Sequence, residues 1–464
     1  MQPEAAIEHV LGLARQSGLA EVDVLVERGE SLGLKIRDAK VEKVDQSTSL
    51  GLGVRVLLDG RTGLAYTERL EASALRRVLD EALENAELQD QLEVNLPDPA
   101  RDVPAAEILQ LYNPELEQLS FEELAEVGLE IEATAKQTDQ RVVTLPYLGV
   151  SRESGEWILG TSKGTHYRQR ANSATTYCGA LLQKGESRKT GFWFWQMRDW
   201  NRAEAAAIGP KAVKEGTSLL GAKSIQNCKM PVILDEYCAP QLLGMFFRAF
   251  HADAAQKGTS RLAGRLGEKI AGENVTLYDD PHIPGARGSS HLDSEGVLTQ
   301  KLSLVNQGVF ENFLYHVESA SKEQRTSTGH ARRSYNSGIG TGSHNLVMEK
   351  GSYSLEALCQ QPERALLVTS LEGAAGCNSI SGDISIGVQG FLLEKGERVQ
   401  PVDSITIAGN FFDLLGKQSV TSLKASGNGF GLYSLNNLLE RHGAVLHFTN
   451  LQFSRKLLIR PREK

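Results

Sequence analysis

Histidine and carboxylate side chains are the residues of this chain that could hold a catalytic metal ion. None of the ten histidines stands in an HExxH sequence, the helical pattern that gives a zinc peptidase two ligands and a general base. A composite metal site is one interpretation of the central region, and dispersed surface histidines, which we favour, are the other. Six potential ligands share that region: His251, Asp279, Asp280, His282, His291 and Asp293.

Two segments could carry a nucleophile. Residues 160–164 read GTSKG and match GxSxG, but that pattern presents a catalytic serine only at a sharp turn from a strand into a helix. The following residues, 165–170, alternate like a strand, so we predict a hairpin turn here. Cys377 lies in a glycine-rich turn with no histidine near it in sequence, and we interpret it as a small structural residue.

Nucleotide and nucleic-acid binding have little support in the sequence. The chain has no GxxxxGK[ST] segment and no GxGxxG after a strand. Its formal net charge of -8 argues against binding that depends on neutralising phosphates. The main internal basic cluster, His330, Arg332 and Arg333, is short, and the aromatic run 192–195 alternates as strands do when they pack into a core.

The central stretch, residues 231–270, is where we expect the fold to position a site. Residues 231–234 read as a buried strand, and Pro240 suits the first turn of a helix. Leu243, Phe246, Phe247 and Phe250 follow at i, i+3, i+4 and i+7, which predicts one apolar helix face. Polar residues that could act as ligands are missing from that face.

The first half of the chain predicts alternating helices and strands. A helix over residues 4–17 precedes three strand-like runs, 23–27, 32–44 and 50–58. The Asp59-Gly60 pair then predicts a hairpin into residues 61–67, because both residues tolerate a positive φ. Ser120 and Glu123 form a capping-box pattern that opens another helix, and a further helical stretch covers about 202–220.

The length of 464 residues predicts more than one domain. We expect an N-terminal α+β domain over residues 1–223, which includes a proline-rich connection at about 89–119. A second, mostly β domain of barrel-like or sandwich type should span residues 224–464, ending in a helix, an apolar strand and a basic tail. The fold class is therefore α+β.

The five cysteines indicate a reducing compartment, because they are odd in number and form no CxxC pair. The N-terminal segment has an amphipathic helical pattern where a signal peptide would have a basic and then an apolar region. No run of apolar residues is long enough to span a membrane. We predict a cytoplasmic protein.

Several short segments along the chain form a recognisable series. They are LYNP at residues 111–114, KGTS at 257–260 with GRLGE at 264–268, LDSEG at 292–296, TG at 328–329 with RRSY at 332–335, SGD at 381–383, GF at 390–391, PV at 401–402 and IAGN at 407–410. Together these segments resemble the TldD/PmbA family, whose members are labelled modulators of DNA gyrase. The resemblance spans nearly the whole chain, and its segments occur in the family's order.

The family resemblance implies two α+β domains and a cytoplasmic dimer. In such a dimer, a catalytic TldD-type subunit carries HExxxH and a later cysteine as metal ligands, and a TldE-type subunit lacks them. Together the two subunits form a metallopeptidase that acts on unfolded or small modified peptides.

Aligned from the KGTS segment, the HExxxH positions of the family fall on Leu243, Gly244 and Arg248. None of these residues can act as a metal ligand or a general base. The later cysteine also has no counterpart, because residues 424–429 read KASGNG. The resemblance therefore implies a TldE/PmbA-like non-catalytic subunit, a pseudoenzyme with no catalytic, cofactor-binding or metal-binding residues of its own.

The expected partners are a TldD-like catalytic subunit that carries the zinc, or a second copy of this chain, together with a peptide substrate. The departure of residues 424–429 from the usual PmbA ending leaves both partners open. Two other functions remain as alternatives. One is an active peptidase with a different site, such as Cys377 or the composite histidine and aspartate set, and the other is a gyrase-associated regulatory protein.

Overall fold

The computed structural model describes the chain except residues 92–93, 352, 416–429, 432–450 and 462–464. Within the described residues, no helix is long and apolar enough to cross a membrane. The helices are α1 Pro3–Gln16, α2 Ala72–Glu87, α3 Pro114–Glu117, α4 Phe121–Thr138, α5 Arg202–Ala206, α6 Ile208–Ser218, α7 Cys238–Phe246, α8 Ala252–Gln256, α9 Val317–Ser321, α10 Leu355–Cys359 and α11 Phe411–Leu415, with 3-10 turns at Ala106–Leu109 and Phe247–Phe250.

The strands form a six-stranded sheet, a five-stranded sheet, a two-stranded ribbon and a barrel. They are β1 Glu21–Arg37, β2 Lys40–Leu58, β3 Arg61–Thr67, β4 Val142–Thr161, β5 His166–Lys184, β6 Ser187–Met197, β7 Cys228–Leu234, β8 Leu277–Asp279, β9 Leu302–Asn306, β10 Val309–Phe310, β11 Ala331–Arg332, β12 Gly340–Thr341, β13 Leu346–Met348, β14 Arg364–Glu372, β15 Asp383–Glu394, β16 Glu397–Asn410, β17 Phe430–Gly431 and β18 Leu451–Pro461.

The N-terminal half is built on the six-stranded sheet, whose order is β3-β2-β1-β4-β5-β6. Every neighbouring pair in this sheet is antiparallel. One face packs against helices, because alternate residues of each strand are apolar: Val22, Val24 and Val26 of β1 lie in the core with α1 and α2. Further along the same strand, Leu34 and Ile36 lie in a second core with α4 and α6.

Two turns in this half show what the sequence predicted and what it did not. Asp59 and Gly60 have φ values of 49° and 76°, which confirms the predicted hairpin. Asp38 and Ala39 also have positive φ values, 51° and 55°, and they form the turn between the end of β1 and the start of β2. The prediction of one continuous strand over residues 32–44 is therefore wrong, because alanine rarely adopts this conformation and gave no turn signal.

Other local predictions in this half are confirmed. Ser120 accepts from the backbone N–H of Glu123, and the Glu123 carboxylate accepts from the N–H of Ser120, so the capping box opens α4. The GTSKG segment is the hairpin turn between β4 and β5. The predicted helix at 202–220 is present as two helices, α5 and α6, with Ala207 between them.

The C-terminal half contains a closed barrel of five strands, β14-β15-β16-β18-β7. This finding confirms the predicted barrel-like architecture and the α+β class. The helix α7 lies in the same apolar core as the inward residues of β7, β14, β15 and β16. The division of the chain at residues 223 and 224 stays a prediction. The predicted C-terminal strand is present as β18, while the helix predicted before it and residues 424–429 lie outside the described residues.

Candidate functional site

The helix α7 follows the barrel strand β7 through a short acidic turn. Asp235 shapes this turn, because its Oδ1 atom accepts hydrogen bonds from the backbone N–H groups of Tyr237 and Cys238 at 3.1 and 2.8 Å. These bonds satisfy donors that a helix start leaves unpaired. The helix therefore begins at Cys238, two residues before the predicted start at Pro240. Burial of the Asp235 carboxyl group raises its pKa to about 7.

The predicted apolar face of α7 is confirmed. Leu243, Phe246 and Phe250 are each at most 2% exposed and lie in the C-terminal core. The ring of Phe246 stacks on that of Phe411, with centroids 4.6 Å apart. The α-helix ends at Phe246, and the 3-10 turn Phe247–Phe250 continues it. This segment therefore anchors the barrel core.

The three positions that the family resemblance assigns to HExxxH do not converge on one point. The side chain of Leu243 is buried in the core, whereas Gly244 and Arg248 are exposed on the other side of the segment. An aliphatic side chain offers no lone pair, glycine has no side chain, and a guanidinium group repels a cation. The residues present therefore do not fit a zinc ion at this place.

A second group of potential ligands lies deeper in the C-terminal half. Ligand atoms of Asp279, His330 and His344 all lie within 4.8 Å of one another, and the three residues are buried. Both ring nitrogens of His330 are engaged, Nε2 with the Asp279 carboxylate at 3.0 Å and Nδ1 with the Thr328 hydroxyl at 2.8 Å. The backbone N–H of His344 donates to the same carboxylate oxygen at 2.8 Å.

The surroundings of His344 disfavour a cation in this group. Its Nε2 atom lies 2.8 Å from the Gly329 carbonyl oxygen, which can only accept, and its Nδ1 atom lies 2.9 Å from an Arg332 Nη2 donor. Burial and the neighbouring Arg332 charge lower the pKa of His344 to about 3, so its ring is neutral. The group is a buried hydrogen-bonded network that ties β8 to the segments around β11 and β13.

The composite site considered from the sequence is not assembled as one cluster. His282 and His291 lie side by side, with ring centroids 5.2 Å apart. Asp279 instead pairs with His330, and Asp293 accepts from backbone N–H groups, including that of Ala331 at 3.0 Å. In the sequence His330 stands out only as part of the short basic cluster with Arg332 and Arg333, and neither His330 nor His344 stands in a recognised ligand spacing.

Another buried polar feature is a joint between the two halves of the chain, formed by Asp23, Arg55, Glu295 and Arg333. Arg55 Nε lies 2.6 Å from Asp23, and Arg55 Nη1 lies 2.8 Å from Glu295. Arg333 pairs with the second oxygen of Asp23. All four side chains are at most 3% exposed. Two positive charges therefore balance two negative ones away from water.

Two of the segments that carry the family resemblance each supply one residue to the charged joint. Glu295 belongs to LDSEG and Arg333 to RRSY, and both join the first sheet to the C-terminal half. The last residue of the second segment, Tyr335, donates its backbone N–H to Glu27 at 3.0 Å. It also packs so closely on Gly51 and Gly53 that a Cβ on either glycine would lie within 2.3 Å of it.

The sequence carries a local signal for one part of this joint. Asp23 and Arg55 interrupt two strongly apolar strand segments, and they lie directly opposite each other in the β1–β2 ladder. An opposite-charge pair inside apolar strands indicates a buried ion pair. Its partners from the C-terminal half could not be read from local sequence.

A polar cavity of about 490 Å³ lies between the open face of the six-stranded sheet and the loop that carries Arg287 to Ser290. Both charge signs line it, with Glu27 and Glu153 on the sheet and Arg332 beyond the loop. Gln196 also lines it, and the Oε1 atom of this buried side chain has no hydrogen-bond partner. Such a lining suits a ligand that offers both hydrogen-bond donors and acceptors, as a peptide does.

The two candidate nucleophiles, Ser162 and Cys377, contact groups that hold the fold together. The Ser162 hydroxyl donates to the Ala20 carbonyl oxygen at 2.7 Å and accepts from the Val22 N–H at 3.0 Å, so it fixes the hairpin to β1. Cys377 is half-buried, and its side chain packs against the barrel core.

Comparison with known proteins finds one family along the chain. Models of the PmbA/TldA metallopeptidase match domain 1 at residues 22–86, the central domain at 114–220 and the C-terminal domain at 227–428. A Haemophilus influenzae protein named metalloprotease PmbA homolog is 26% identical over 417 residues, covering 88% of this chain and 89% of that protein.

Two solved structures share the fold over almost the whole chain. A Thermotoga maritima protein, described as a candidate modulator of a DNA gyrase, matches with a TM-score of 0.84 and 26% identity, covering 98% of this chain and 99% of that one. TldE from Thermococcus kodakarensis matches with a TM-score of 0.82 and 25% identity, with coverage of 98% and 99%.

Proposed function

Because this chain belongs to the TldD/PmbA family of metallopeptidases, we propose that it is a TldE/PmbA-like subunit that has no metal site of its own. The observation that carries the proposal is the chemistry of Leu243, Gly244 and Arg248 on the segment that begins with α7. These residues supply neither ligands nor a base, and the first of them belongs to the core. Zinc and catalysis would then reside in a TldD-like partner.

The proposed role of this chain is to help enclose a peptide for the partner's metal centre. The polar cavity beside Glu153 and Gln196 supports this role, because it offers both charge signs and an unpaired acceptor. A cavity of this kind suits the backbone and termini of an unfolded or small modified peptide. The charged joint supports the role as well, because it holds the cavity's two walls together.

Co-purification from the native source tests the proposal. We expect a second chain with HExxxH to accompany this protein, and we expect zinc-dependent cleavage of unfolded peptides only when both chains are present. A matched sample in which the partner's glutamate is replaced by glutamine should retain the complex and lose the activity. Peptide cleavage by this chain alone, abolished in Cys377→Ala, would instead favour a peptidase with its own site.

A further inference from the structure

The polar cavity has a gap in its floor on the six-stranded sheet. Successive residues of a strand point to opposite faces, so Glu153, Gly155 and Trp157 of β4 share the open face that carries the cavity. Their ladder partners on β5 are Ser173, Ala171 and Gln169. Gly155 and Ala171 therefore leave a gap between two rows of larger side chains. A Cβ added to Gly155 would meet no other atom closer than 3.9 Å, so the gap is open space.

The floor of the cavity has the length of a short extended peptide. Along β4, the rows of Trp157 and Glu153 are four residues apart, which is about 13 Å. An extended chain advances about 3.3–3.6 Å per residue, so about four residues of a bound peptide span this distance. The Gly155 gap lies midway between the two rows, where a peptide backbone can approach the sheet.

One end of the cavity carries an arginine whose charge has no carboxylate partner. Arg198 Nε donates to the Gly285 carbonyl oxygen at 2.9 Å. Its Nη1 donates to the carbonyl oxygens of Leu111, at 2.7 Å, and of Asn172. Within the described ranges of the chain, Arg198 forms no ion pair and its Nη2 makes no hydrogen bond. Burial and the neighbouring Arg287 charge lower the pKa of Arg198 to about 10, so the guanidinium is still charged at neutral pH.

Arg332 brings a second positive charge to the cavity from the side of the loop. Its Nη2 donates to the carbonyl oxygens of Gly288 and Ser343 at 3.2 and 3.0 Å. Among the residues that the structure describes, no carboxylate forms an ion pair with it. Guanidinium groups without a carboxylate partner suit an anionic ligand, because their planar donors match the two oxygens of a carboxylate.

Hydrogen-bond acceptors lie next to the arginines on the sheet. The Ser173 hydroxyl donates to Glu153 Oε1 at 2.9 Å, so it must accept from Gln196 Nε2 at 3.0 Å. This orientation leaves Gln196 Oε1 without a partner, although the residue is only 6% exposed. The Glu153 carboxylate would repel a free phosphate ion, whereas it can accept from the N–H groups that accompany the carboxylate of a peptide end.

The two kinds of group lie at the same end of the cavity. Met197, the last residue of β6, pairs with Ala174, so Arg198 follows beside Ser173 and hence in the row of Glu153. A ligand held there presents an anionic group and donors within a few ångströms of each other. The last residue of a peptide chain has this combination.

We propose that the polar cavity binds the C-terminal end of a short peptide, with its free carboxylate on Arg198 and Arg332. The last N–H groups of the peptide donate to Glu153 and Gln196, and its backbone crosses the Gly155 gap. The inference rests on the proposed function for the kind of ligand, a peptide. It adds that this chain recognises a free carboxylate end.

Isothermal titration calorimetry of the full-length chain, without a partner, tests the proposal with tetra-alanine and with tetra-alanine amide. We expect the free acid to bind about tenfold or more tighter than the amide, because the amide offers no charge to the arginines. Arg198→Gln should lower the affinity for the acid to that for the amide and leave the affinity for the amide unchanged. An equal loss for both peptides would show that Arg198 acts only on the fold, and would overturn the proposal.

Gly155→Val tests the place of binding without changing a charged residue. Valine suits a strand, and its side chain would fill the gap in the floor. We expect the affinity for tetra-alanine to fall by about tenfold or more and the urea unfolding midpoint to stay the same. Gly33→Val is the matched control, since it lies in the same sheet outside the cavity and an added Cβ would meet its nearest atom at 3.6 Å. It should bind as the wild-type protein does.

Three results would overturn the proposal: no binding of tetra-alanine at millimolar concentrations, equal affinities of the wild-type protein for acid and amide, or unchanged binding by Gly155→Val. These measurements need no metal-bearing chain. A failed co-purification would therefore count against the proposed function and leave the measured affinities as they are.

Discussion

The segment made of α7 and the 3-10 turn after it, and the charged joint, carry opposite kinds of residue. In α7 and the 3-10 turn that follows it, the positions that the family resemblance assigns to metal chemistry hold a buried leucine, a glycine and an exposed arginine. In the joint, Asp23, Arg55, Glu295 and Arg333 remain charged although all are buried. The chain therefore carries costly buried charges where they connect its two halves, and it has no metal ligand at the positions that the family resemblance assigns to a metal.

Residues that match the family pattern have architectural roles in this chain. LDSEG and RRSY supply Glu295 and Arg333 to the joint, and their neighbours bond to backbone groups. The KGTS segment begins just after α8 and has a similar role, because the Ser260 hydroxyl donates to the Ala249 carbonyl oxygen at 2.6 Å. These contacts hold the segments of the fold together.

The largest effect should come from opening the charged joint. Arg55→Met should lower the free energy of unfolding by about 3–5 kcal/mol, because Glu295 loses its arginine and stays buried with Asp23. Urea unfolding followed by circular dichroism measures this loss. Arg28→Met is the control, since its ion pair with Glu30 is half-exposed, and it should cost less than about 1 kcal/mol. Equal losses in the two variants would show that the joint does not hold the halves together.

The apolar side of α7 can be tested in the same way. Leu243→Ala should lower the free energy of unfolding by about 2–5 kcal/mol, because it opens a cavity among Phe246, Phe250 and their neighbours. The measurement is again the urea midpoint. A loss below about 0.5 kcal/mol would mean that Leu243 is not a core residue.

The acidic turn before α7 should give a smaller, pH-dependent effect. The pKa of Asp235 is raised to about 7 in the folded protein, against about 3.9 in an unfolded chain. The folded state therefore holds an extra proton, and the stability from this group is full below about pH 4 and is lost as the pH rises through 7.

Asp235→Asn should remove this dependence, since the amide oxygen can still accept from Tyr237 and Cys238. Between pH 4 and pH 7, the free energy of unfolding should fall by about 1–3 kcal/mol more in the wild-type protein than in Asp235→Asn. Thermal unfolding at several pH values measures it. Asp98→Asn, at a side chain that is 93% exposed, should follow the wild-type profile. If the stability of wild type and of Asp235→Asn falls equally with pH, then Asp235 does not hold the extra proton in the folded state.

The smallest effect is expected at Arg248. Arg248→Ala should change the free energy of unfolding by no more than about 0.5 kcal/mol, because the side chain is exposed. This result would sharpen the contrast with Leu243, five residues earlier in the same segment. A loss of several kcal/mol would show that Arg248 has a structural role that its exposure does not indicate.

Local sequence predicted the elements that depend on local physics. The apolar face of α7, the Ser120 capping box and the Asp59-Gly60 hairpin are confirmed, because each depends on neighbouring residues alone. The Asp38-Ala39 turn was missed because alanine rarely adopts a positive φ and therefore gives no turn signal.

The polar interior of the C-terminal half could not be predicted in the same way. Asp279 and His330 are 51 residues apart, and Arg55 and Glu295 are 240 apart. No spacing rule joins residues that meet only through tertiary packing. The family resemblance, confirmed by the comparisons, located the important segments but did not show what they contact.

The metal content of the purified protein tests the central claim most directly. The account predicts that this chain, prepared without a partner and exposed to zinc before exhaustive dialysis, retains far less than one equivalent, because Leu243, Gly244 and Arg248 offer no ligand and His330 and His344 are already hydrogen-bonded. Retention of about one zinc ion per chain, together with chelator-sensitive peptidase activity, would contradict it.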